Sequence, residues 1–334
     1  MRARISGSNG QTNPHHSVLE TRYLRYLALR AFRFGVSGQR ASPREWRDLA
    51  CTAEDLGFST LLLPDHFGRQ WSPLLALQAA AYATRSLRVG TIVLDNDFRH
   101  PALLAKDAAT LDVLTDGRFE LGLGAGWMAA DYQWTGIPFD PPATRVARLE
   151  ESVKIIKGLF ADGAVTFQGQ HYSITDLEGF PKPVQKPRLP IMIAGSRTRM
   201  LSLAAREADI VGIEDHRFAE RATGSATLHA ANAAEQVAIV RAAAGDRFDQ
   251  LELNVFAARV EVTDDPLSAA DALAEHFRTT RQDVLGSASF LIGSVDSIEE
   301  TLEQRRAELG ISYVMVFDRV MDAFAPVVAR LAGK

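Results

Sequence analysis

From Phe32 onward the chain alternates between short apolar runs and longer stretches of helical periodicity. "FRFGVSG", "STLLLPD", "LRVGTIVLD", "RFELGLGAG", "LPIMIAG", "ADIVGIE", "LELNVFAARVEV" and "YVMVFD" read as eight strands. Helical segments follow them. Pro43 sits near the start of a helix that runs to Leu56 and stops at Gly57, the usual placing of an N1 proline and a C′ glycine. In "TRVARLEESVKIIKGLF", Val146, Leu149, Val153, Ile156 and Phe160 recur at coiled-coil-like spacing. The strands read as continuous apolar runs, as parallel strands covered by helices must. Eight β-then-α units over residues 31–334 predict one α/β catalytic domain, a closed TIM (β/α)8 barrel. An open doubly wound sheet is the alternative. Its mark, a G-x-G-x-x-G turn after the first strand, is absent from "GVSGQRAS".

Two insertions depart from a minimal barrel. "AVTFQGQHYSITDLEGFPKPVQKP" reads as a hairpin with Gly169 in its turn, and "EDHRFAERATGSATLHAANAAEQ" is a long connection of small residues after strand six. Loops of this length are often lids, and both are expected to overhang the active face.

With 46% hydrophobic and 23% charged residues, the chain can bury a large core without covalent staples. Its formal charge of −4 gives no attraction to nucleic acid or an anionic membrane. Cys51, the single cysteine, excludes an intrachain disulfide and a Cys-rich metal cluster. It lies in a helix whose Trp46, Leu49, Ala53 and Leu56 share one face, and reads as a small core residue. Residues 1–30 read as a disordered leader: "MRARISGSNGQTNPHH" has no periodicity, and arginines interrupt the apolar core a signal peptide would need. With no stretch as long as a membrane span, a cytoplasmic protein is expected.

Chemistry-bearing residues gather where strands end, the rim at which barrel enzymes work. Strand two ends in Asp65 and His66, strand three in Asp95, Asn96 and Asp97, and strand four in Gly122, Gly124, Gly126 and Trp127. Strand five ends in "AGSRT", where Ala194, Gly195 and Ser196 precede a helix whose free N–H groups and dipole can hold a phosphate. Arg197 and Arg199 add positive charge. Strand six ends in Glu214, Asp215 and His216. Each has a plainer reading: a polar loop for Asp65–His66, close backbone approach for the glycines, an ordinary N-cap for Ser196. No second histidine stands at metal-ligand spacing, so no metal site is predicted.

Four blocks carry a resemblance: "LPDHF", "RVGTIVL…RHPALLAKDAATLDVLTDGRFELGLGAGW", "GIPFDPPATRVARLEE" and "LIGSVDSIEETLEQRRAELGISYVMV". Together they resemble the luciferase-like monooxygenase superfamily, most closely its branch that uses the deazaflavin coenzyme F420. The resemblance implies a TIM barrel with an insertion between the fourth helix and fifth strand. It implies that His66 serves as acid or base with Asp65 beside the ring of the cofactor. It implies a non-proline cis peptide at Ile92–Val93 behind the ring, in the segment from Thr91 to Val93. Cofactor binding then falls to Thr91, Ile92, Val93, Gly124, Gly126, Ala194, Gly195, Ser196 and Arg197. The sugar-phosphate dehydrogenases of that branch carry a glutamate where this chain has Trp127, so a larger apolar or aromatic substrate is expected. Trp71, Trp127, Asp131, Tyr132 and Glu214 are the candidate substrate-pocket residues.

The implied activity is hydride transfer between coenzyme F420 and a small organic substrate, as a reductase of C=C, C=N or C=O. An FMN-dependent monooxygenase of the same superfamily is the alternative. A metal-dependent barrel hydrolase would need more histidines at strand ends, and a non-catalytic binding protein would not need the Asp–His pair. The resemblance also implies a homodimer, joined through helices on the outer face of the barrel.

Overall fold

The computed structural model describes residues 30–40, 42–214 and 232–334. The predicted leader, apart from its last residue, and residues 215–231 of the long connection, with Asp215 and His216, lie outside the described residues. Strands are numbered in chain order. Among the described residues β1 (Arg33–Ser37), β2 (Thr60–Leu63), β3 (Arg88–Thr91), β5 (Phe119–Gly124), β8 (Ile191–Gly195), β9 (Ile210–Ile213), β10 (Glu252–Phe256) and β13 (Ile311–Phe317) pair in parallel around a closed ring. The first strand joins the last, Arg33 opposite Tyr313 through Ser37 opposite Phe317. This is the TIM barrel the alternation predicts, and closure leaves no open strand edge. Among the described residues no helix is long and apolar enough to cross a membrane.

Helices begin where the local chemistry dictates. Pro43, Pro73, Pro101, Pro142 and Pro266 each occupy the first helical position, where a missing N–H costs nothing. Ser42 and Glu45 form a reciprocal capping box in front of the first of these helices. Its Trp46, Leu49 and Ala53 are buried, whereas Cys51 is only half-buried, with its thiol 3.4 Å from the Ala83 carbonyl.

Strand parity sorts the two faces. Phe34, Val36, Leu61, Leu63, Val89, Phe119, Leu121 and Leu123 pack outward under the helices. Leu62, Met192, Ile210, Tyr313 and Met315 fill the interior, with Ile92 and Phe256 above them. The floor is ionic. Arg33 bridges Glu120 at 2.5 Å and Glu252 at 2.6 Å, and Arg88 meets Glu120 at 2.6 Å. The Arg33 guanidinium also lies 3.7 Å from the centre of the Tyr313 ring. Burial alone would raise the pKa of Glu120, but Arg33 and Arg88 outweigh it and hold the carboxyl below its ordinary range.

Two expectations change. "LELNVFAARVEV" is two strands, because the Ala258 N–H turns back onto the Phe256 carbonyl at 2.9 Å. Only β10 belongs to the barrel. Arg259–Val262 (β11) pairs in parallel with Phe290–Gly293 (β12) beside it, over a small cluster of Ala270, Ala274, Phe277 and Val284. The Gly169 hairpin exists, as Ala164–Gln168 (β6) against Ser173–Glu178 (β7), but it does not follow a strand C-terminus. It leaves the C-terminal end of the helix Pro142–Phe160, at the barrel floor, and climbs that helix. Glu151 accepts the N–H groups of Gln170, His171 and Tyr172. Only Tyr172 reaches the rim, edge-on to His100 at 5.4 Å.

Glu120→Gln removes the charge between two guanidiniums and leaves them under-paired. A loss of about 3–5 kcal/mol is expected, as for other broken buried pairs, visible as a lower urea midpoint at pH 7. A carboxylate whose pKa is depressed by folding stabilises above the ordinary carboxylate range and loses that contribution as pH falls. The two proteins should therefore converge in acid. Equal midpoints at pH 7 would show that the ionic floor carries no stability.

Candidate active site

The rim is organised by the junction of β3 and β5. The Thr91 hydroxyl donates to the Gly122 carbonyl at 2.9 Å and accepts the Gly122 N–H at 2.8 Å. The Ile92–Val93 peptide is cis, and the chain then resumes as β4 (Leu94–Asp95), paired with Leu123 and Gly124. The backbone turn sends Ile92 into the barrel interior and Val93 over β5. A Cβ at Gly122 would lie 2.0 Å from the Thr91 carbonyl, and one at Gly124 would lie 2.5 Å from the Val93 side chain. Gly126 has a φ of +74°, and a Cβ there would meet the Tyr132 hydroxyl at 2.0 Å. Close packing, against backbone at Gly122 and against side chains at Gly124 and Gly126, is thus a sufficient reason for all three glycines, and the Thr91 hydroxyl is already spent within the fold.

His66 is held on two sides. Its Nδ1 lies 2.7 Å from Oδ2 of Asp131, and the Phe67 N–H donates to Oδ1 of the same carboxylate at 3.1 Å. The His66 N–H donates to the Gln70 side chain at 2.7 Å. Because the carboxylate accepts at Nδ1, the ring proton sits there and Nε2 is the nitrogen left to exchange protons. The ring stands edge-on to exposed Trp127, 5.8 Å between centres.

Asp65, expected beside His66 in function, is turned elsewhere. It pairs with Arg99 through both oxygens and accepts the Asp95 N–H at 3.2 Å. Asp131 replaces it as the partner of the imidazole. Asp131 and Tyr132 are buried, which removes both from an open substrate pocket. The Tyr132 hydroxyl donates to Asp95 at 2.8 Å and lies 3.1 Å from Asp97. Burial and then the Asp95 charge keep that phenol protonated. Asp97 is also paired with Arg148 at 2.8 Å. Arg145 donates to the carbonyls of Ala125 at 3.0 Å and Gly126 at 3.2 Å, so the glycine loop is tied from below. The sequence reading passes over Arg99, Arg145 and Arg148. Arg99 has one local signal, a lone cation two residues past a pair of acids, Asp95 and Asp97, in "DNDFRH".

Asp95 is the perturbed acid of this cluster. Burial pushes its pKa up to about 6, against the pull of the Asp97 N–H and the Tyr132 hydroxyl, with the Asp97 and Asp65 charges pushing further upward.

The remaining candidates lie at other points of the structure. Ala194 is buried at the end of β8, Gly195 lies against Met200, and Ser196 is half-buried. Arg197 is the N-cap of the helix Thr198–Glu207, and its side chain makes no capping hydrogen bond to the first N–H groups. Arg199 bonds the Ala143 carbonyl at 3.0 Å. Trp71 stacks edge-on to Trp46 at 6.3 Å, with no ring contact to His66, and the Glu214 backbone is clasped by the buried Gln236 side chain. Among the described residues no three His, Cys, Asp or Glu side chains group as metal ligands.

The fold and rim define a closed (β/α)8 barrel with an oriented histidine at its C-terminal end. Residues 25–324 match the model of the luciferase-like monooxygenase family, and the chain belongs to that family. It is 34% identical over 186 residues to an F420-dependent glucose-6-phosphate dehydrogenase of Microbacterium testaceum, covering 53% of this chain and 54% of that one. The chain thus spans about half the length of the curated relatives it matches. Among solved structures it resembles the coenzyme F420-dependent tetrahydromethanopterin reductase of Methanopyrus kandleri, with a TM-score of 0.70 and 17% identity over 90% of this chain and 100% of that one. It also resembles the oxygenating constituent of 3,6-diketocamphane monooxygenase of Pseudomonas putida in complex with FMN, with a TM-score of 0.64 and 18% identity over 90% and 96%. At these identities the structures establish the fold.

A carboxyl whose pKa is raised by folding favours the folded state while protonated, and that benefit is lost as pH rises through its folded pKa. Wild-type stability should therefore fall from about pH 4 to about pH 6 through Asp95. Asp95→Asn should flatten this slope and raise the melting temperature more at pH 7 than at pH 4.5. Parallel melting curves across that range would refute the assignment.

Proposed function

We propose that the protein is a coenzyme F420-dependent oxidoreductase that transfers a hydride between the deazaflavin and a small organic substrate, acting as a reductase of a C=C, C=N or C=O group. The observation that carries the reading is the His66–Asp131 pair at the rim, in a chain whose matched relatives include F420-dependent glucose-6-phosphate dehydrogenases. The residues present fit such a cofactor. The helix Thr198–Glu207 offers uncapped N–H groups for a phosphate, and the small residues Ala194 and Gly195 lead into it. Ile92, at the top of the interior, supplies an apolar surface for a ring. When bound, the deazaflavin supplies the hydride in one two-electron step.

The chain supplies the rest. As the imidazolium, with Nδ1–H bonded to Asp131, His66 delivers its Nε2 proton to the atom adjacent to the carbon that receives hydride, and in the reverse direction the neutral Nδ1–H ring takes that proton back at Nε2. Asp131 holds the imidazole in the tautomer this requires, and the arginine bonds of Asp65 leave it a structural tie between the loops after β2 and β3. Trp127, edge-on to His66, walls the reaction site with an apolar surface and favours a substrate larger and less polar than a sugar. An FMN-dependent monooxygenase would use the same barrel and the same helix terminus, so cofactor choice is decided by binding. Fluorescence titration should show tighter capture of F420 than of FMN. Micromolar FMN binding with no F420 binding would overturn the reading.

His66→Asn should retain cofactor and lose about 10²–10⁴ in single-turnover rate, the usual worth of a positioned acid or base. Asp131→Asn should fall in a similar range for a different reason. The Phe67 N–H claims the amide oxygen, so the amide nitrogen faces Nδ1 and drives the ring proton to Nε2, the wrong tautomer. Wild-type rates in both variants would return Asp65–His66 to the status of a polar loop.

The assembly proposed with this function is a homodimer. Leu75 and Tyr82 on the helix Pro73–Ala83, and Leu103 and Leu114 on Pro101–Leu114, remain exposed on adjoining helices. Sedimentation should give a dimer at micromolar concentration, and a monomer there would count against this face.

A further inference from the structure

We infer that Arg259 and Arg319 form a binding site for the anionic group, a phosphate or carboxylate, of a small-molecule ligand. They line a cleft of about 520 Å³ formed by residues 258–262, 319 and 320, after barrel strands β10 and β13. Both guanidiniums converge on one atom. Arg259 donates to the Ala258 carbonyl at 3.0 Å, and Arg319 donates to the same oxygen at 3.1 Å. Two cations that touch a single oxygen are close enough to hold one oxyanion between them.

Neither is neutralised. Among the described residues no ion pair involves Arg259 or Arg319, and Glu261, the acid of the cleft, bridges neither. Asp318, next in sequence to Arg319, is committed to Arg40. Burial and then the charge of Arg319 lower the pKa of Arg259, as expected for a cation facing another without a counter-ion. Aromatic rings brace both planes: Arg319 lies 4.2 Å from the centre of Phe317, and Arg259 lies 5.6 Å from Phe277. Phe317 in turn meets Phe256 at 4.6 Å, above the interior cluster, so the pair borders the barrel mouth. Each guanidinium retains donors in a planar fork suited to bidentate oxyanion binding. Loops after the seventh and eighth strands are a frequent phosphate site in barrels of this type.

The inference is independent of which cofactor binds, and its test uses the whole chain with inorganic phosphate as probe. Calorimetric titration at low salt compares wild type with Arg259→Gln, Arg319→Gln and Arg44→Gln, the last an exposed control on the helix Pro43–Asp55. Circular dichroism confirms that each variant is folded. Wild type should bind phosphate in the millimolar range, the first two variants should lose about tenfold or more, and the control should match wild type. Repetition at saturating F420 separates two sources of the anion. Undiminished phosphate binding assigns the site to the substrate, competition assigns it to the cofactor, and either supports the inference. Equal affinity in all variants, or no binding up to tens of millimolar, overturns it. Failure to bind F420 would strike only the function proposed above.

Discussion

The stitch between Thr91 and Gly122 is the constraint on which the rim depends. Parallel strands must pair all the way round, yet β3 breaks after four residues and the chain must rejoin β5 two residues later. Thr91 bridges the gap with a hydroxyl that both donates and accepts. The price is side-chain volume on the facing strand, which must be glycine at 122 and 124. With the junction held, the loops after β3 and β5 emerge side by side. Asp95, on one, then comes within hydrogen-bonding distance of Tyr132, on the other.

Electrostatics at the rim follow a division of labour among buried carboxylates. Asp65 is matched by Arg99, Asp97 by Arg148, and Asp131 by the His66 ring and a backbone N–H. Asp95 receives only neutral donors, and it is the acid that burial raises. A buried charge needs a counter-charge or hydrogen bonds to its ionised form, and Asp95 has only the second. The floor repeats the rule with Glu120 between two arginines. Floor and rim therefore differ in purpose: one is fully compensated, the other leaves an imidazole nitrogen and two guanidiniums with capacity to spare.

The luciferase-like fold is shared by proteins whose chemistry differs, and barrel strands alone cannot choose among them. Selection lies in what each strand end presents. Here that is an apolar Trp127 beside the imidazole, an uncapped helix after β8, and a paired-arginine cleft after β10 and β13. The β11–β12 pair and its small core hold Arg259 at the edge of the mouth. The excursion that splits the seventh strand run is thus also what builds that cleft.

The barrel was legible in the sequence because local rules set it. Apolar runs such as "STLLL" can only be strands covered on both faces, and prolines at helix starts mark where each return begins. The position of His66 at the rim was legible for the same reason, since it ends such a run. What the one-dimensional pattern could not contain was pairing between distant loops. Asp65 is adjacent to His66 in sequence, but the two side chains diverge, and the partner of the imidazole stands 65 residues on. Nothing in "LELNVFAARVEV" shows that Ala258 turns the chain back, or that its carbonyl gathers two arginines 60 residues apart. Hydrophobic periodicity is a property of neighbours and determined the fold. Charge compensation is a property of three-dimensional proximity, so only the closed barrel decided which acids, bases and cations meet.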